Sequence, residues 1–202
     1  MKNLIHIYGA SGSGTSTLGR KISEVLGYKF MDTDDYFWLP TNPKYTMKRN
    51  KEECLDLMKK DISENDNVVI SGSLVDWGDE LIPLFTLVIR LVTDTKIRIE
   101  RLKTREKQEF GNRIMPDGDT YINHIEFIEW ARKYDSGSVD MRSKAKHDEW
   151  QKLLQCKQIV LNGADDVEEK WVVVPEGPIF TKEEIMEQIY FQEQYFNSEI
   201  LM

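Results

Sequence analysis

Residues Gly9-Ala10-Ser11-Gly12-Ser13-Gly14-Thr15-Ser16-Thr17 decide the fold because they join an apolar run to an amphipathic helix. The preceding run, Leu4 to Tyr8, is β-branched and aromatic, which is typical of a buried parallel strand. After the turn, apolar residues recur at helical spacing as far as Leu26, and Gly27 provides a C-terminal stop. A strand, a glycine-rich turn and a helix N-terminus in this order direct backbone N–H groups at one point. The stretch, called the phosphate loop below, therefore predicts a nucleotide ligand.

The phosphate loop fits the pattern G-x-x-x-x-G-K-[ST] at Gly9, Gly14 and Ser16, but Thr15 stands where the pattern has lysine. A charge-assisted hydrogen bond is worth roughly 1.5–3 kcal/mol, whereas the backbone amides and the helix dipole survive the change. We therefore expect all nine residues to take part in nucleotide binding and a cation to come from elsewhere. The simpler alternative is a flexible turn, but the flanking strand and helix favour a phosphate site.

Composition is that of an ordinary soluble domain, with 202 residues, 40% hydrophobic and 31% charged. No apolar run reaches the length of a membrane span, and the N-terminus enters a strand without a signal-peptide layout. We expect a cytoplasmic protein with no membrane partner. Cys54 and Cys156 lie far apart in the sequence and indicate neither a disulfide framework nor a metal site.

The net charge of −8 is concentrated at the end of the chain. From Gly163 onward, ten acidic residues face two lysines, so the rest is neutral overall, yet Lys96 to Arg113 carries a local charge of +4. Such a strip suits a small polyphosphate better than a nucleic acid, although on charge alone a solvated helix face is the favoured explanation. We expect a small-molecule substrate, no nucleic acid, and a monomer or homodimer.

Further strands are predicted at Tyr28–Met31, Val68–Ile70, Phe85–Leu91 and Gln158–Leu161, alternating with helical patterns. This order predicts an α/β fold with a five-stranded parallel sheet and helices on both faces. Residues 1–174 would form the main domain, with a helical lid at about 105–142. The acidic extension 175–202 would add a C-terminal helix packed on the body, or alternatively an arm that binds a partner.

Three motifs together resemble P-loop kinases of small molecules and nucleoside monophosphates, of the adenylate, cytidylate, shikimate and uridine kinase type. They are the phosphate loop, Asp32-Thr33-Asp34 and Arg101-Leu102-Lys103-Thr104-Arg105. The second is similar to the Asp-Ser/Thr-Asp element of shikimate kinases, and the third to the Arg-Leu-x-x-Arg that opens the lid of adenylate kinases. Gly111-Asn112-Arg113 resembles the next lid arginine, while Arg132 and Arg142 are looser matches.

The resemblance implies a P-loop NTP hydrolase fold, with ATP and Mg²⁺ as cofactors. Ser16 and Asp32 would hold the metal. Asp34, Arg101, Arg105 and Arg113 would be catalytic, with Asp34 or its neighbour Asp35 accepting the proton of the attacking hydroxyl. The substrate would contact Asp34, Asp35, Trp38 and Gly72, although core packing is the commoner use of an aromatic such as Trp38. Either one of the three arginines or Lys21 would replace the missing lysine, and the sequence leaves this choice open.

The motifs support two functional hypotheses. The first is an ATP-dependent kinase of a small metabolite, with nucleosides and nucleotides among the candidates. The second is a nucleotide-binding regulatory protein with little or no kinase activity, which the threonine at position 15 and the acidic C-terminal region motivate.

Overall fold

The computed structural model describes residues 3–167 and residue 170. The predicted C-terminal helix and the rest of the 175–202 extension lie outside the described residues. None of the described helices combines the length and the apolar character that a bilayer crossing requires. The elements are β1 (Asn3–Gly9), α1 (Thr15–Leu26), β2 (Lys29–Asp32), α2 (Thr33–Phe37), α3 (Lys51–Glu64), β3 (Asn67–Ser71), β4 (Leu87–Val92), α4 (Thr95–Phe110), α5 (Tyr121–Arg132), α6 (Lys144–Gln151) and β5 (Lys157–Asn162).

The strands form one parallel sheet in the order β2-β3-β1-β4-β5. The prediction of a five-stranded parallel sheet with helices on both faces is therefore confirmed. Strand β1 lies in the middle, where β3 and β4 flank it, and its chain leaves for α1 at the carboxyl edge of the sheet. Ligands of open α/β sheets bind at this edge, where the strand order reverses. The topology thus places the phosphate loop at the centre of the ligand-binding edge.

Side chains of β1 alternate between the two faces of the sheet and enter two separate cores. Leu4 and Tyr8 pack with residues of α3 and α6 on one face. Ile5 and Ile7 pack with α1 on the other. All four side chains are buried, which explains why β1 reads as a continuous apolar run rather than an alternating one.

Local contacts set the ends of three helices. The acidic segment after β2 forms the short helix α2, and the carboxylate of Asp32 caps it by accepting from the Asp34 amide at 3.2 Å. Helix α4 continues to Phe110, because no helix-breaking residue precedes Gly111. The Asn50 side chain caps α3 by accepting from the Glu52 amide at 2.8 Å.

Two histidines are fully buried at the sheet. His6 lies on β1, where its ring stacks on Phe85 and its Nε2 lies 2.9 Å from the carbonyl oxygen of Gly72. His147 lies between the hydroxyl groups of Ser73 and Tyr134, at 3.1 and 2.7 Å. Burial lowers the pKa of His6 to about 4. It lowers the pKa of His147 to about 3, and nearby arginine charges add to the effect.

Both histidines make the fold less stable in acid. Unfolding restores an ordinary histidine pKa, so below pH 6.5 the unfolded chain binds protons that the folded chain excludes. Stability is therefore highest above that pH and falls as the pH drops toward the folded pKa values. Each histidine contributes a slope of about 1.4 kcal/mol per pH unit to the free energy of unfolding.

Replacing His147 with glutamine, which does not titrate, should remove one of the two slopes. Chemical denaturation of both proteins from pH 7 down to about 4.5 checks this expectation. Carboxyl groups contribute equally to both proteins, so the difference in slope belongs to the histidine. The expectation would be contradicted if the free energy of unfolding depended on pH equally in wild type and His147→Gln.

Candidate functional site

A cavity of about 920 Å³ opens at the carboxyl edge of the sheet, beside the phosphate loop. Its walls come from the loop, from the chain after β2, from the turn after β3 and from the helices between β4 and β5. Six of the nine predicted nucleotide-binding residues line it: Gly9, Ala10, Ser11, Gly12, Thr15 and Ser16. The other three, Ser13, Gly14 and Thr17, belong to the loop but do not face this cavity.

The phosphate loop presents free backbone donors. Gly12 and Gly14 have φ angles of 81° and 98°, a conformation that favours glycine. The Ser13 amide is used within the loop, donating to the Ala10 carbonyl at 3.0 Å. Helix α1 has no side-chain cap, and in the part of the chain that the structure describes, residues 14–17 have no acceptor for their amides. Several N–H groups therefore remain available to an anion at the helix N-terminus.

Helix α4 packs against the phosphate loop at Gly12. An added Cβ on Gly12 would lie 2.6 Å from the backbone oxygen of Arg98, so the loop and the helix touch at this glycine. The Arg98 side chain is fully buried, and its guanidinium donates to the carbonyl oxygen of Ser11 at 3.5 Å and pairs with Asp135 at 3.0 Å. The loop is thus fixed in shape before any ligand binds.

The two predicted metal ligands lie in direct contact. The Ser16 hydroxyl donates to the Asp32 carboxylate at 2.8 Å, and the Ser71 hydroxyl lies 3.3 Å from Ser16 Oγ. Both Ser16 and Asp32 line the cavity. Hydroxyl and carboxylate oxygens are the donors that Mg²⁺ prefers, and in nucleotide sites phosphate oxygens and water complete the coordination. The donor set therefore fits a magnesium ion.

Asp34 is the cavity carboxylate next to this pair. Burial and the negative charge of Asp32 raise its pKa, while the positive charges of Arg142 and Arg105 oppose the rise. Both arginines line the cavity with it. The structure thus brings together a carboxylate, two guanidinium groups and the phosphate loop around one space.

Among the remaining predicted substrate residues, Trp38 and Gly72 line the cavity, whereas Asp35 does not. Asp35 follows Asp34 on the short helix α2, where burial and the charge of Asp32 raise its pKa and the charges of Arg20 and Lys44 oppose the rise. Gly72 has a φ angle of 112° and packs tightly against Thr33, which closes the turn after β3. An added Cβ there would collide with the Thr33 side chain, so only glycine fits this turn.

Two predicted catalytic arginines lie away from the cavity wall. Arg101 donates to the carbonyl oxygen of Gly163 at 2.9 Å, where the chain after β5 meets the phosphate loop. Arg113 pairs with Asp119 at 2.7 Å and donates to the Asn42 side chain at 2.7 Å. Their catalytic roles stay predictions.

Arg142 has a larger place in the site than its sequence indicated. Its Nη2 donates to the Ser11 hydroxyl at 2.9 Å, and its guanidinium lies 4.7 Å from the centre of the Trp130 ring. No sequence motif with a defined spacing includes Arg142. Its loose match to the lid arginines is the signal that could have identified it. Lys21, the other candidate cation, does not line the cavity.

The sheet order, the phosphate loop and the carboxylate at the end of β2 define a P-loop domain of the small-molecule and nucleoside kinase type. Residues 5–120 match the AAA_18 family model, which is described as an AAA domain. The chain belongs to this family.

Similar proteins agree with this assignment. The chain is 41% identical over 170 residues to a Bacillus subtilis protein named "Uncharacterized protein YqaC", covering 84% of this chain and 94% of that protein. A cytidylate kinase of Thermoplasma volcanium is 24% identical over 193 residues, which cover 85% of this chain and 96% of that protein. The structure of a shikimate kinase from Bacteroides thetaiotaomicron aligns with a TM-score of 0.51 at 16% identity, over 98% of this chain and 99% of that one, and shares the fold.

The contact between Gly12 and helix α4 generates a stability prediction with a matched control. Gly27 also has a positive φ, of 68°, but an added Cβ there would meet nothing within 4 Å. Gly27→Ala should therefore cost only backbone strain, about 1–2 kcal/mol. Gly12→Ala adds a clash with the Arg98 backbone and should cost about 2–5 kcal/mol.

Denaturation of both variants measures the two costs. We also expect Gly12→Ala to weaken ATP binding, because the loop amides must shift, while Gly27→Ala binds as wild type does. Equal losses of stability in both variants would show that the loop does not press on α4.

Proposed function

We propose that the protein is an ATP-dependent kinase of a small hydroxylated metabolite, with nucleosides and nucleotides among the candidate acceptors. The observation that carries the proposal is a single cavity lined by the phosphate loop, Asp34, Arg105 and Arg142. Phosphoryl transfer needs mainly positioning and charge neutralisation, and this cavity offers an anion cradle, a carboxylate and two cations. The match to the AAA_18 family over residues 5–120 supports the same conclusion.

In this proposal the β- and γ-phosphates of ATP lie against the free amides of the phosphate loop. Ser16 and Asp32 would hold Mg²⁺, which supplies neutralisation of the phosphate charge when bound. The loop residues and the helix α1 N-terminus contribute fixed N–H donors that need no rearrangement. Thr15 contributes its backbone and a neutral side chain where the motif has a cation.

Asp34 would accept the proton of the attacking hydroxyl. A new bond forms between the acceptor oxygen and the γ-phosphorus, the bond from that phosphorus to the bridging oxygen breaks, and ADP leaves. Burial and Asp32 raise the pKa of Asp34, which makes it a stronger base than an exposed aspartate. Its place beside Arg105 and Arg142 keeps the carboxylate near the phosphoryl group being transferred.

The acceptor would occupy the aromatic part of the cavity. This wall includes Phe37, Trp38, Tyr45, Trp77, Phe127 and Trp130. A space of about 920 Å³ is at the upper end of the usual range for small-molecule sites and has room for an acceptor beside the ATP phosphates. Aromatic walls suit a compact metabolite with a ring, and stacking on Trp38 remains part of the proposal.

The second candidate function is nucleotide binding without turnover. Thr15 favours it, because the charge that usually contacts the terminal phosphates is missing from the loop. In that case ATP would raise the melting temperature, yet no acceptor would yield ADP. Two cavity arginines beside an aspartate favour the kinase instead, because guanidinium groups stabilise the negative charge that develops during phosphoryl transfer.

The test is ADP release from MgATP with a panel of nucleosides, nucleotides, sugars and cyclic polyols. We expect at least one acceptor to give turnover well above the rate of ATP hydrolysis. Asp34→Asn should lower kcat about 10²–10⁴-fold with ATP affinity retained, because it removes a proton acceptor.

Asp56→Asn, on the exposed face of α3, is the matched control and should leave turnover unchanged. Saturable ATP binding without ADP release from any acceptor would favour the second candidate. An Asp34→Asn variant as active as wild type would contradict the role given to this carboxylate.

A further inference from the structure

The cavity lacks a cation at the position where a P-loop normally provides one. Thr15 lines the cavity at that position with an uncharged side chain. The terminal phosphates of ATP carry several negative charges, and one charge-assisted hydrogen bond to them is worth roughly 1.5–3 kcal/mol. A kinase with this loop needs a replacement cation within reach of the same phosphates.

Four cationic side chains line the cavity: Lys44, Lys48, Arg105 and Arg142. Lys44 is paired with Glu109 at 2.5 Å. The ammonium of Lys48 lies over the ring of Phe37 on the acceptor side, 5.7 Å from its centre. Neither lysine is directed at the phosphate loop.

Arg142 differs from the other three because it touches the loop itself. Its Nη2 donates to the hydroxyl of Ser11 at 2.9 Å. Its charge is also close enough to Asp34 to oppose the rise in that pKa. The guanidinium therefore lies between the loop that would bind ATP and the carboxylate that would orient the acceptor. This is the region that the transferred phosphoryl group would cross.

The position of Arg142 is set by its surroundings. The guanidinium lies over the Trp130 ring at 4.7 Å, an arrangement that favours a cation. The next residue, Ser143, is fully buried, caps helix α6 through the Lys146 amide at 3.1 Å and donates to the Ser138 carbonyl at 2.7 Å. Protein surrounds Arg142 closely enough for burial to lower its pKa. An arginine keeps its charge in such surroundings, whereas a lysine loses it readily.

We propose that Arg142 replaces the missing P-loop lysine, with its guanidinium donating to the β- and γ-phosphates of ATP from the segment before α6. This inference rests on the proposed function. It assigns the phosphate cation to a residue 127 positions after Thr15 in sequence. The guanidinium is already fixed beside Ser11, so little ordering is needed when ATP binds.

The test compares Arg142→Gln, Thr15→Lys and the double variant Thr15→Lys/Arg142→Gln. Glutamine keeps a donor for Ser11 and removes the charge, so the fold is less disturbed than by alanine. The readout is the affinity for the β,γ-imido analogue of ATP and for AMP, measured by equilibrium titration with Mg²⁺. This readout needs no turnover.

We expect Arg142→Gln to weaken binding of the ATP analogue about 10- to 100-fold and to leave AMP affinity unchanged, because AMP lacks the two phosphates. Adding Thr15→Lys should recover most of the loss. Lys152→Gln is the control, since this exposed lysine follows α6, pairs with Glu149 and does not line the cavity. It should bind both ligands as wild type does. Thermal melts establish that each variant is folded.

Three results would overturn the inference. The first is unchanged affinity of Arg142→Gln for the ATP analogue. The second is a double variant no better than Arg142→Gln, which would mean that a cation at position 15 does not substitute. The third is an equal loss of affinity for AMP, which would mean that Arg142 does not act on the β- and γ-phosphates. Failure of the proposed function looks different, because wild type itself would then not bind the analogue, or would bind it without any turnover.

Discussion

The arrangement of this site depends on one constraint, which is that the chain must turn from β1 into α1 while leaving its amides unpaired. Two glycines with positive φ make the turn, and Arg98 holds it. The guanidinium of Arg98 is fully buried and donates to the Ala131 carbonyl at 3.2 Å as well as to Ser11 and Asp135. A buried charge is costly unless its donors are satisfied, so this network resists rearrangement. It links the loop to the segments that carry Trp130 and Arg142.

The strand order converts this local turn into a complete site. Because β1 lies between β3 and β4, the ends of β2 and β3 meet the loop on one side and α4 meets it on the other. Asp32 and Gly72 come from the first side, and Arg105 comes from the second. Residues that are distant in sequence therefore reach one cavity without any unusual connection.

The sequence predicted the parts of the site that depend on local pattern. The apolar spacing and the glycines of the segment from β1 to α1 are visible directly in the sequence. Asp32 ends a parallel strand, and the ends of such strands lie at the ligand-binding edge of the sheet. Arg101 and Arg105 share one face of α4, yet only Arg105 lines the cavity, because Arg101 is turned to the Gly163 carbonyl. The contacts of Arg113 and Arg142 depend on how α5 and α6 pack, which no spacing in the sequence encodes.

The central claim is that the amides of the phosphate loop bind the phosphates of ATP without a lysine at position 15. Amide hydrogen exchange of the peptide spanning residues 10–17, with and without MgATP, measures this most directly. Exchange of these amides should slow when MgATP is added, whereas adenosine should have no such effect. Unchanged exchange in this peptide at saturating MgATP would contradict the account.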